Sequence, residues 1–298
     1  MRRPDLTVVI PTYRRPDLLR RCLASLGEQT VPAATFEVVV VDDGSGDDTA
    51  QVLATFGDRV RSFTQERNAG PAAARNRGIA EARADLILFL DDDIAAAPDL
   101  LSTHLALHAA AADPALGVLG RVDWAADLTV TPFMAWLDRS GLQFGYDTWL
   151  REGPVVPPYA AFYTANLSMH RALLTEAGGF DERFPYAAFE DMELAFRLAD
   201  RGFRLDYRPA ARGFHTRAMD LDGFCARMAR VGESAELLRR AAPAFPLDDS
   251  DLRRRRVGVL QRLRRRLAAR RDDSARSEYY WAEVAAAYAR GARRGQRA

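Results

Sequence analysis

Leu86-Ile87-Leu88-Phe89-Leu90-Asp91-Asp92-Asp93 sets five large apolar residues directly against three carboxylates. An unbroken apolar run of this length suits a strand covered on both faces, as in a parallel sheet. Open α/β sheets bind ligands outside the carboxyl ends of their strands, so the stretch predicts a buried strand that delivers a charge cluster to a sheet edge. Three adjacent acids repel one another unless solvent, hydrogen bonds or a cation compensates. Two readings fit. The cluster is a solvated turn leading to a helix start at Pro98-Asp99, where acids are favoured, or it holds a hard divalent ion that keeps waters and substrate phosphates as its other ligands.

Upstream, the pattern repeats. Leu6 to Ile10 is an apolar run closed by Pro11-Thr12-Tyr13-Arg14-Arg15-Pro16, and Leu18, Leu19, Cys22, Leu23 and Leu26 then recur at helical spacing. Phe36-Glu37-Val38-Val39-Val40-Val41 predicts a second buried strand, ending in Asp42-Asp43-Gly44-Ser45. That ending suits a tight turn with an N-cap as well as it suits a ligand. A helix through Thr49, Val52, Leu53 and Phe56, a weaker strand at Val60 to Phe63, and a helix from Ala72 to Ala82 opened by Asn68-Ala69-Gly70-Pro71 complete the series. Strands alternating with helices imply βαβ units and a parallel sheet. Residues 1–110 therefore read as a nucleotide-binding half. Its loop ends offer a hydroxyl at Thr12, forked phosphate donors at Arg14 and Arg75, and a carboxylate at Asp43 for a ring N–H.

Global properties narrow the class. The chain has 298 residues and a formal charge of +1, which argues for neither nucleic acid nor membrane as the main partner. Every basic side chain is Arg, and the basic excess gathers near the C-terminus. Cys22 and Cys225 are two isolated cysteines without metal-ligand spacing, as expected of thiols in a reducing compartment, although two cysteines also allow one bridge. The first apolar run is too short for the core of a signal peptide, and no stretch approaches a membrane span. The expectation is a soluble cytoplasmic protein.

From Asp113 to Pro158 the periodicity weakens, and Trp124, Phe133, Trp136, Phe144, Tyr146 and Trp149 are scattered among Gly, Asp and Arg. Such rings serve either as core or as platforms for a sugar's apolar face. Phe162 to Met169 alternates as a half-buried strand, and Arg171 to Ala177 reads as a helix closed by Gly178-Gly179. Glu190-Asp191 opens a further helix, where the helix dipole favours acids. Either can also act as a general base, given burial or a neighbouring acid to raise its proton affinity. Gly202 to Tyr207 predicts a strand whose continuation carries His215, a packing residue or a metal's nitrogen ligand.

The remainder reads as helical and peripheral. Leu221 to Arg240 forms one helix, and Trp281, Val284 and Tyr288 mark the last. Between them Arg253-Arg254-Arg255-Arg256 leads into Val257, Leu260, Leu263 and Leu267, an apolar stripe in a strongly basic segment. Such a helix lies on anionic lipid or covers the protein's own core with a solvated basic face.

Taken in order, Val9-Ile10-Pro11-Thr12-Tyr13-Arg14, Val41-Asp42-Asp43-Gly44-Ser45, Asn68-Ala69-Gly70-Pro71 with Ala74-Arg75-Asn76-Arg77-Gly78, Phe89 to Asp93, and Gly178 to Glu182 with Phe189-Glu190-Asp191-Met192-Glu193 resemble glycosyltransferase family 2, inverting enzymes of the GT-A fold. The resemblance spans about residues 5 to 220. It implies an α/β, mostly parallel Rossmann-like sheet flanked by helices, with residues 1–110 as donor half, 111–220 as acceptor-binding and catalytic half, and 221–298 as an Arg-rich helical extension. Pro11, Thr12, Arg14 and Asp43 would surround the nucleoside, Arg75 would lie near the donor pocket, and Asp91 to Asp93 would match the Asp-x-Asp motif. Within that motif Asp93 is the favoured ligand to Mg²⁺ or Mn²⁺, Asp92 the alternative, and His215 resembles a late histidine that completes coordination. Asp191, beside Glu190, resembles the catalytic base, and Asn166 falls where relatives border the acceptor.

The implied activity is transfer of one sugar from a nucleoside diphosphate sugar, with UDP or dTDP favoured, to a carbohydrate, lipid-linked or small-molecule acceptor in glycoconjugate or polysaccharide synthesis. Two rivals stand beside it. A nucleotidyltransferase also uses strand-end acids and a metal, but usually carries a Gly-rich first loop, which Pro11-Thr12-Tyr13-Arg14 is not. A non-catalytic sugar-nucleotide-binding protein would keep the fold without needing a second acid pair at Glu190-Asp191.

Overall fold

The structure, a computed structural model, describes residues 3–270 and 272–297. Its first part alternates β1 (Leu6–Thr12), α1 (Pro16–Leu26), β2 (Phe36–Asp42), α2 (Thr49–Phe56), β3 (Arg61–Thr64), α3 (Pro71–Glu81) and β4 (Leu86–Leu90). These strands pair in the order β3-β2-β1-β4, all parallel, with Val8 opposite both Val38 and Leu88. Helices cover the faces, so Val8, Val9, Ile10, Val39, Val40 and Leu86 to Leu90 are buried. This explains why the strands read as continuous apolar runs without alternation. Proline opens both α1 and α3, where its missing N–H costs nothing.

Beyond β4 the sheet changes character. The chain continues through β5 (Ile94–Ala96), α4 (Leu100–Ala111), β6 (Leu116–Trp124), α5 (Pro132–Ser140), β7 (Gly153–Val155), β8 (Asn166–His170), α6 (Arg171–Glu176), α7 (Glu190–Ala199) and β9 (Arg204–His215). β8 inserts antiparallel between β4 and β6, while β9 runs parallel to β6 and antiparallel to β5 and β7. The sheet is therefore parallel on the N-terminal side and mixed beyond β4.

Two local expectations change, and one short strand was not foreseen. The segment expected to alternate from Phe162 becomes a strand only at Asn166, and Asn166 to Met169 are all buried because β8 lies between two other strands. The strand at Gly202 to Tyr207 extends to His215, past an irregularity opposite Leu119 and Arg121. Only three residues after Asp93 form β5, too few to show a period.

The C-terminal segment comprises α8 (Leu221–Ala241), α9 (Ser250–Arg254), α10 (Val259–Ala268) and α11 (Asp273–Gly295). It is not peripheral. Phe224 and Met228 of α8 and Val284 and Tyr288 of α11 enclose Phe133, Trp136 and Leu137 of α5 in a second hydrophobic core. α8 and α11 cross at backbone contact: a Cβ at Gly291 would stand 1.7 Å from the Ala229 carbonyl oxygen, and one at Gly232 would stand 2.1 Å from that of Tyr288. Only glycine permits that approach. Cys22 and Cys225 are both free thiols, Cys22 buried and Cys225 half-buried. Among the described residues, no helix is long and apolar enough to cross a membrane.

Candidate active site

The ends of β1, β2 and β4 converge, as parallel register requires. Thr12, the last residue of β1, donates from Oγ1 to Asp92 Oδ2 at 2.7 Å. Arg15 donates from Nη1 to Asp92 Oδ1 at 3.0 Å and stands 3.4 Å from Asp93 Oδ2. Asp92 is almost fully buried, and its carboxyl is pushed up to about 6, first by desolvation and then by Asp93 and Asp91, with Arg15 and Thr12 opposing. Asp92 and Asp93 are thus neither solvated nor fully neutralised; one guanidinium serves both carboxylates.

Asp93 is the acid that faces His215. β5 leaves directly from Asp93 and pairs with β9, placing Ile94 opposite His215, while Thr216 donates its N–H and its hydroxyl to the Asp93 carbonyl. This register brings His215 Nε2 to 3.6 Å from Asp93 Oδ2. His215 Nδ1 lies 2.9 Å from the Arg217 carbonyl, and a proton on Nδ1 leaves the Nε2 lone pair directed toward the carboxylate side. One carboxylate oxygen and one imidazole nitrogen at this separation suit a divalent ion that completes its shell with water and phosphate. Among the described residues no group of three or more His, Cys, Asp or Glu converges on such an ion, so protein ligands alone would not fill the shell.

Asp43 sits differently. Its carboxylate accepts from Gln65 Nε2 at 2.6 Å, from the Ala69 N–H at 2.7 Å and from the Gly70 N–H at 2.9 Å. Three of its lone-pair positions are engaged, leaving room for one further donor. Asp42 accepts from the Ser45 N–H and hydroxyl. Arg14, with a left-handed φ of 54°, receives its contacts at Ser45: its N–H donates to Oγ and its Nε donates to the carbonyl. Of the two adjacent arginines it is Arg15 that reaches the acids, which the sequence reading missed; the available signal was its place just before Pro16, at the cap of α1. Pro11 stays half-buried within β1.

The second acid pair is joined to the first by Arg75. Its side chain is 3 % exposed and donates from Nη1 to Glu190 Oε1 at 2.8 Å and from Nη2 to Asp91 Oδ1 at 3.1 Å. The fork read as a phosphate donor is spent on two carboxylates, so Arg75 ties the helix start of α7 to the end of β4. Glu190 Oε2 and Arg75 Nε are buried without partners. Phe189, at the cap of α7, adopts a left-handed φ of 72°, an uncommon conformation for a bulky residue. Asp191 is half-buried, accepts the Met192 N–H at 2.8 Å, and has its carboxyl pushed up to about 7 by burial and by Glu190, against Arg75.

Asn166 departs from its sequence reading, and Arg227 had none. Asn166 is fully buried and binds only protein: its amide donates to the Arg121 and Ala211 carbonyls, and its oxygen faces His104. It knits strands together and presents nothing to an acceptor. Arg227 of α8, unremarked in the sequence, stands in the field of Asp191, Glu190, Asp91 and Asp93. Burial lowers its proton affinity and those four acids restore part of it. Its Nη1 donates to Gln143 Oε1, and no carboxylate among the described residues forms an ion pair with it.

The sequence profile of Glycosyl transferase family 2 matches residues 7–168. The chain belongs to this family. Among curated members, the validoxylamine A glucosyltransferase of Streptomyces hygroscopicus subsp. jinggangensis is 35% identical over 221 residues, covering 67% of this chain and 52% of its own length. The pre-mycofactocin glycosyltransferase of Mycobacterium tuberculosis is 30% identical over 235 residues, covering 78% and 47%. The chain thus spans about half the length of these relatives. Two solved structures share the fold at low identity. The mannosyltransferase PcManGT from Pyrobaculum calidifontis, in complex with GDP-Man and Mn²⁺, superimposes with a TM-score of 0.62 at 18% identity, covering 99% of this chain and 88% of that one. S. aureus TarS 1–349 with UDP-GlcNAc gives 0.60 at 16% identity, covering 98% and 91%. The fold is that of the GT-A glycosyltransferases.

Proposed function

We propose that the protein moves one sugar from a nucleoside diphosphate sugar to an acceptor hydroxyl, with inversion at the anomeric carbon. The observation that carries this reading is the Asp91–Arg75–Glu190 bridge, which fixes the start of α7, and so Asp191, to the strand that ends in the acid cluster. Asp191 takes the acceptor's hydroxyl proton as that oxygen forms its bond to the anomeric carbon and the bond to the diphosphate breaks. A base near pH 7 combines a substantial ionised fraction with useful proton affinity, and burial beside Glu190 places Asp191 there. Asp93 and His215 would hold Mg²⁺ or Mn²⁺, with Arg15 and Thr12 keeping Asp92 oriented beside them. The ion, when bound, offsets charge on the departing diphosphate. Asp43 retains room for a base's ring N–H, which uracil and thymine offer, as in UDP or dTDP, and guanine offers as well. The sugar nucleotides in the related PcManGT and TarS structures support the donor class.

Asp191→Asn should lower transfer by about 10²–10⁴-fold while UDP with Mn²⁺ still raises the thermal midpoint. Near-normal turnover in that variant would remove Asp191 as base. Metal-dependent release of UDP without acceptor separates this reading from a non-catalytic binder, and pyrophosphate release would indicate nucleotidyl transfer.

A lipid-surface contact has its own observation. α10 turns its apolar stripe outward: Val259, Leu260, Leu263 and Leu267 are 64 %, 81 %, 57 % and 67 % exposed. Its basic side is held inward by Arg262 with Glu283 and by Arg265 with Glu278. An exposed apolar stripe flanked by arginines fits the inner, anionic face of a membrane in a cytoplasmic protein. Flotation with phosphatidylglycerol vesicles should fail for Leu260→Gln with Leu263→Gln; flotation unchanged by both substitutions would exclude α10 as the contact.

A further inference from the structure

A cleft open to solvent lies against the end of β6 and includes Trp124, Asp138, Gln143, Phe144, Tyr146 and His215 in its wall. One end adjoins the proposed metal pair. His215 faces Asp93 and packs edge-on against Trp124 with ring centroids 5.3 Å apart. The other end leads toward the proposed base: Gln143 accepts from Arg227, Phe144 packs on Tyr163 at 5.4 Å, and both Arg227 and Tyr163 sense the charge of Asp191. The cleft therefore adjoins the proposed metal pair and, through Gln143 and Phe144, touches side chains that feel the charge of Asp191, which suits the entry of an attacking hydroxyl.

Its chemistry is uneven in an informative way. Two of its three aspartates are neutralised: Asp123 pairs with Arg121 at 2.6 Å and with Arg212 at 2.9 Å, and Asp147 receives both Nη atoms of Arg121 at 2.9 Å. Asp138 is not. Its two oxygens share one donor, the Trp124 indole N–H, at 3.1 and 2.9 Å, and no arginine among the described residues pairs with it. Burial raises its proton affinity, against the Trp124 bond. Tyr146 is 8 % exposed, and its hydroxyl has no hydrogen-bond partner. An orphaned buried hydroxyl costs free energy unless a ligand or water meets it. Aromatic walls with a few convergent polar groups are what a carbohydrate-binding cleft requires.

We infer that this cleft is the acceptor subsite, that it takes a polyhydroxylated ring which is neutral or carries an ammonium group, and that Asp138 rejects a ring carrying a carboxylate. The inference rests on the transfer reading above and adds the charge class of the acceptor. Asp138 and Tyr146 hydrogen-bond ring hydroxyls, Trp124 offers an apolar face, and Gln143 contributes its amide nitrogen.

The test uses the full chain with UDP and Mn²⁺ present and three probes of one ring: glucose, glucosamine and glucuronate, titrated by saturation-transfer NMR. Glucosamine should bind at least as tightly as glucose, and glucuronate at least tenfold more weakly. Asp138→Asn, which keeps an oxygen for the Trp124 N–H, should collapse the difference between glucosamine and glucuronate toward unity. Tyr146→Phe should weaken glucose and glucosamine alike by about 5- to 10-fold. The thermal shift given by UDP should be the same in both variants. Charge discrimination that survives Asp138→Asn overturns the inference, as does a UDP response with no response to any of the three rings. Loss of the UDP response in the unmodified chain would instead overturn the transfer reading on which it rests.

Discussion

At the end of β2, Asp42 and Asp43 accept five hydrogen bonds from nearby chain, two from Ser45 and three from Gln65, Ala69 and Gly70. At the end of β4, Asp92 and Asp93 share one hydroxyl and one guanidinium, with Asp93 only 3.4 Å from the latter. Both strands are buried apolar runs that stop in acids, so the difference lies in the chain immediately downstream of each. Gly44-Ser45 turns back and the Asn68-Ala69-Gly70 loop lays its N–H groups against Asp43. After Asp93 the chain passes straight into β5, whose backbone pairs with β9. One acid pair is a structural clamp with room for a single further donor, and the other keeps an uncompensated charge that a cation can meet.

The largest effect should come from the unfinished cluster. Asp93→Asn should reduce metal-dependent transfer by about 10²–10³-fold, and added Mn²⁺ should restore little of it. Thermal unfolding of the metal-free variant should occur at or above the wild-type midpoint, because the change relieves repulsion with Asp92. A large loss of stability would show that this acid, too, is structural and would collapse the contrast.

Asp43→Asn should do the reverse. An amide nitrogen placed where the carboxylate accepts faces a donor, so unfolding free energy should fall by about 1–3 kcal/mol, read from a shifted urea midpoint with unchanged slope. Transfer at saturating donor should change less than in Asp93→Asn. A stable Asp43→Asn protein would mean that the Asn68 to Gly70 loop holds without its clamp.

How much of this was readable in sequence depends on the range of the interactions. β1, β2 and β4 show as apolar runs because the helices that hide them lie adjacent in the chain, and the acids at their ends are visible for the same reason. The contacts that separate one acid from another are distant. Arg75 meets Glu190 across 115 positions, and Arg15 rather than Arg14 meets Asp92 across 77. β5 is three residues long and exists because β9 is there to pair with it. The periodicity of α8 is readable, but the face it buries depends on α5 and α11, so Arg227 carried no signal of its position.

Asp191 extends the contrast to pH. Its folded carboxyl near 7 lies above the ordinary carboxylate range, so between that range and about 7 the folded chain binds the proton more readily than the unfolded chain. This contribution to stability is fully present at acid pH and is lost as pH rises through about 7. Asp191→Asn should flatten the corresponding slope in a plot of thermal midpoint against pH. An unchanged slope would place the titration elsewhere.

The smallest expected effect concerns Arg227, the cation that α8 adds to the same field. Removing its charge with Arg227→Gln leaves Asp191 beside Glu190 with only Arg75 to oppose them, so the proton affinity of Asp191 should rise further. The acid limb of the kcat/KM profile should move to higher pH. Transfer at neutral pH should fall a few-fold and recover as the pH is raised, while Arg227→Lys should keep the wild-type profile. Packing alone would predict a loss that no pH restores, as would a contact with the donor's phosphates. Recovery at high pH therefore identifies Arg227 as a positioning charge for the base, the counterpart at α7 of what Arg15 does at β4.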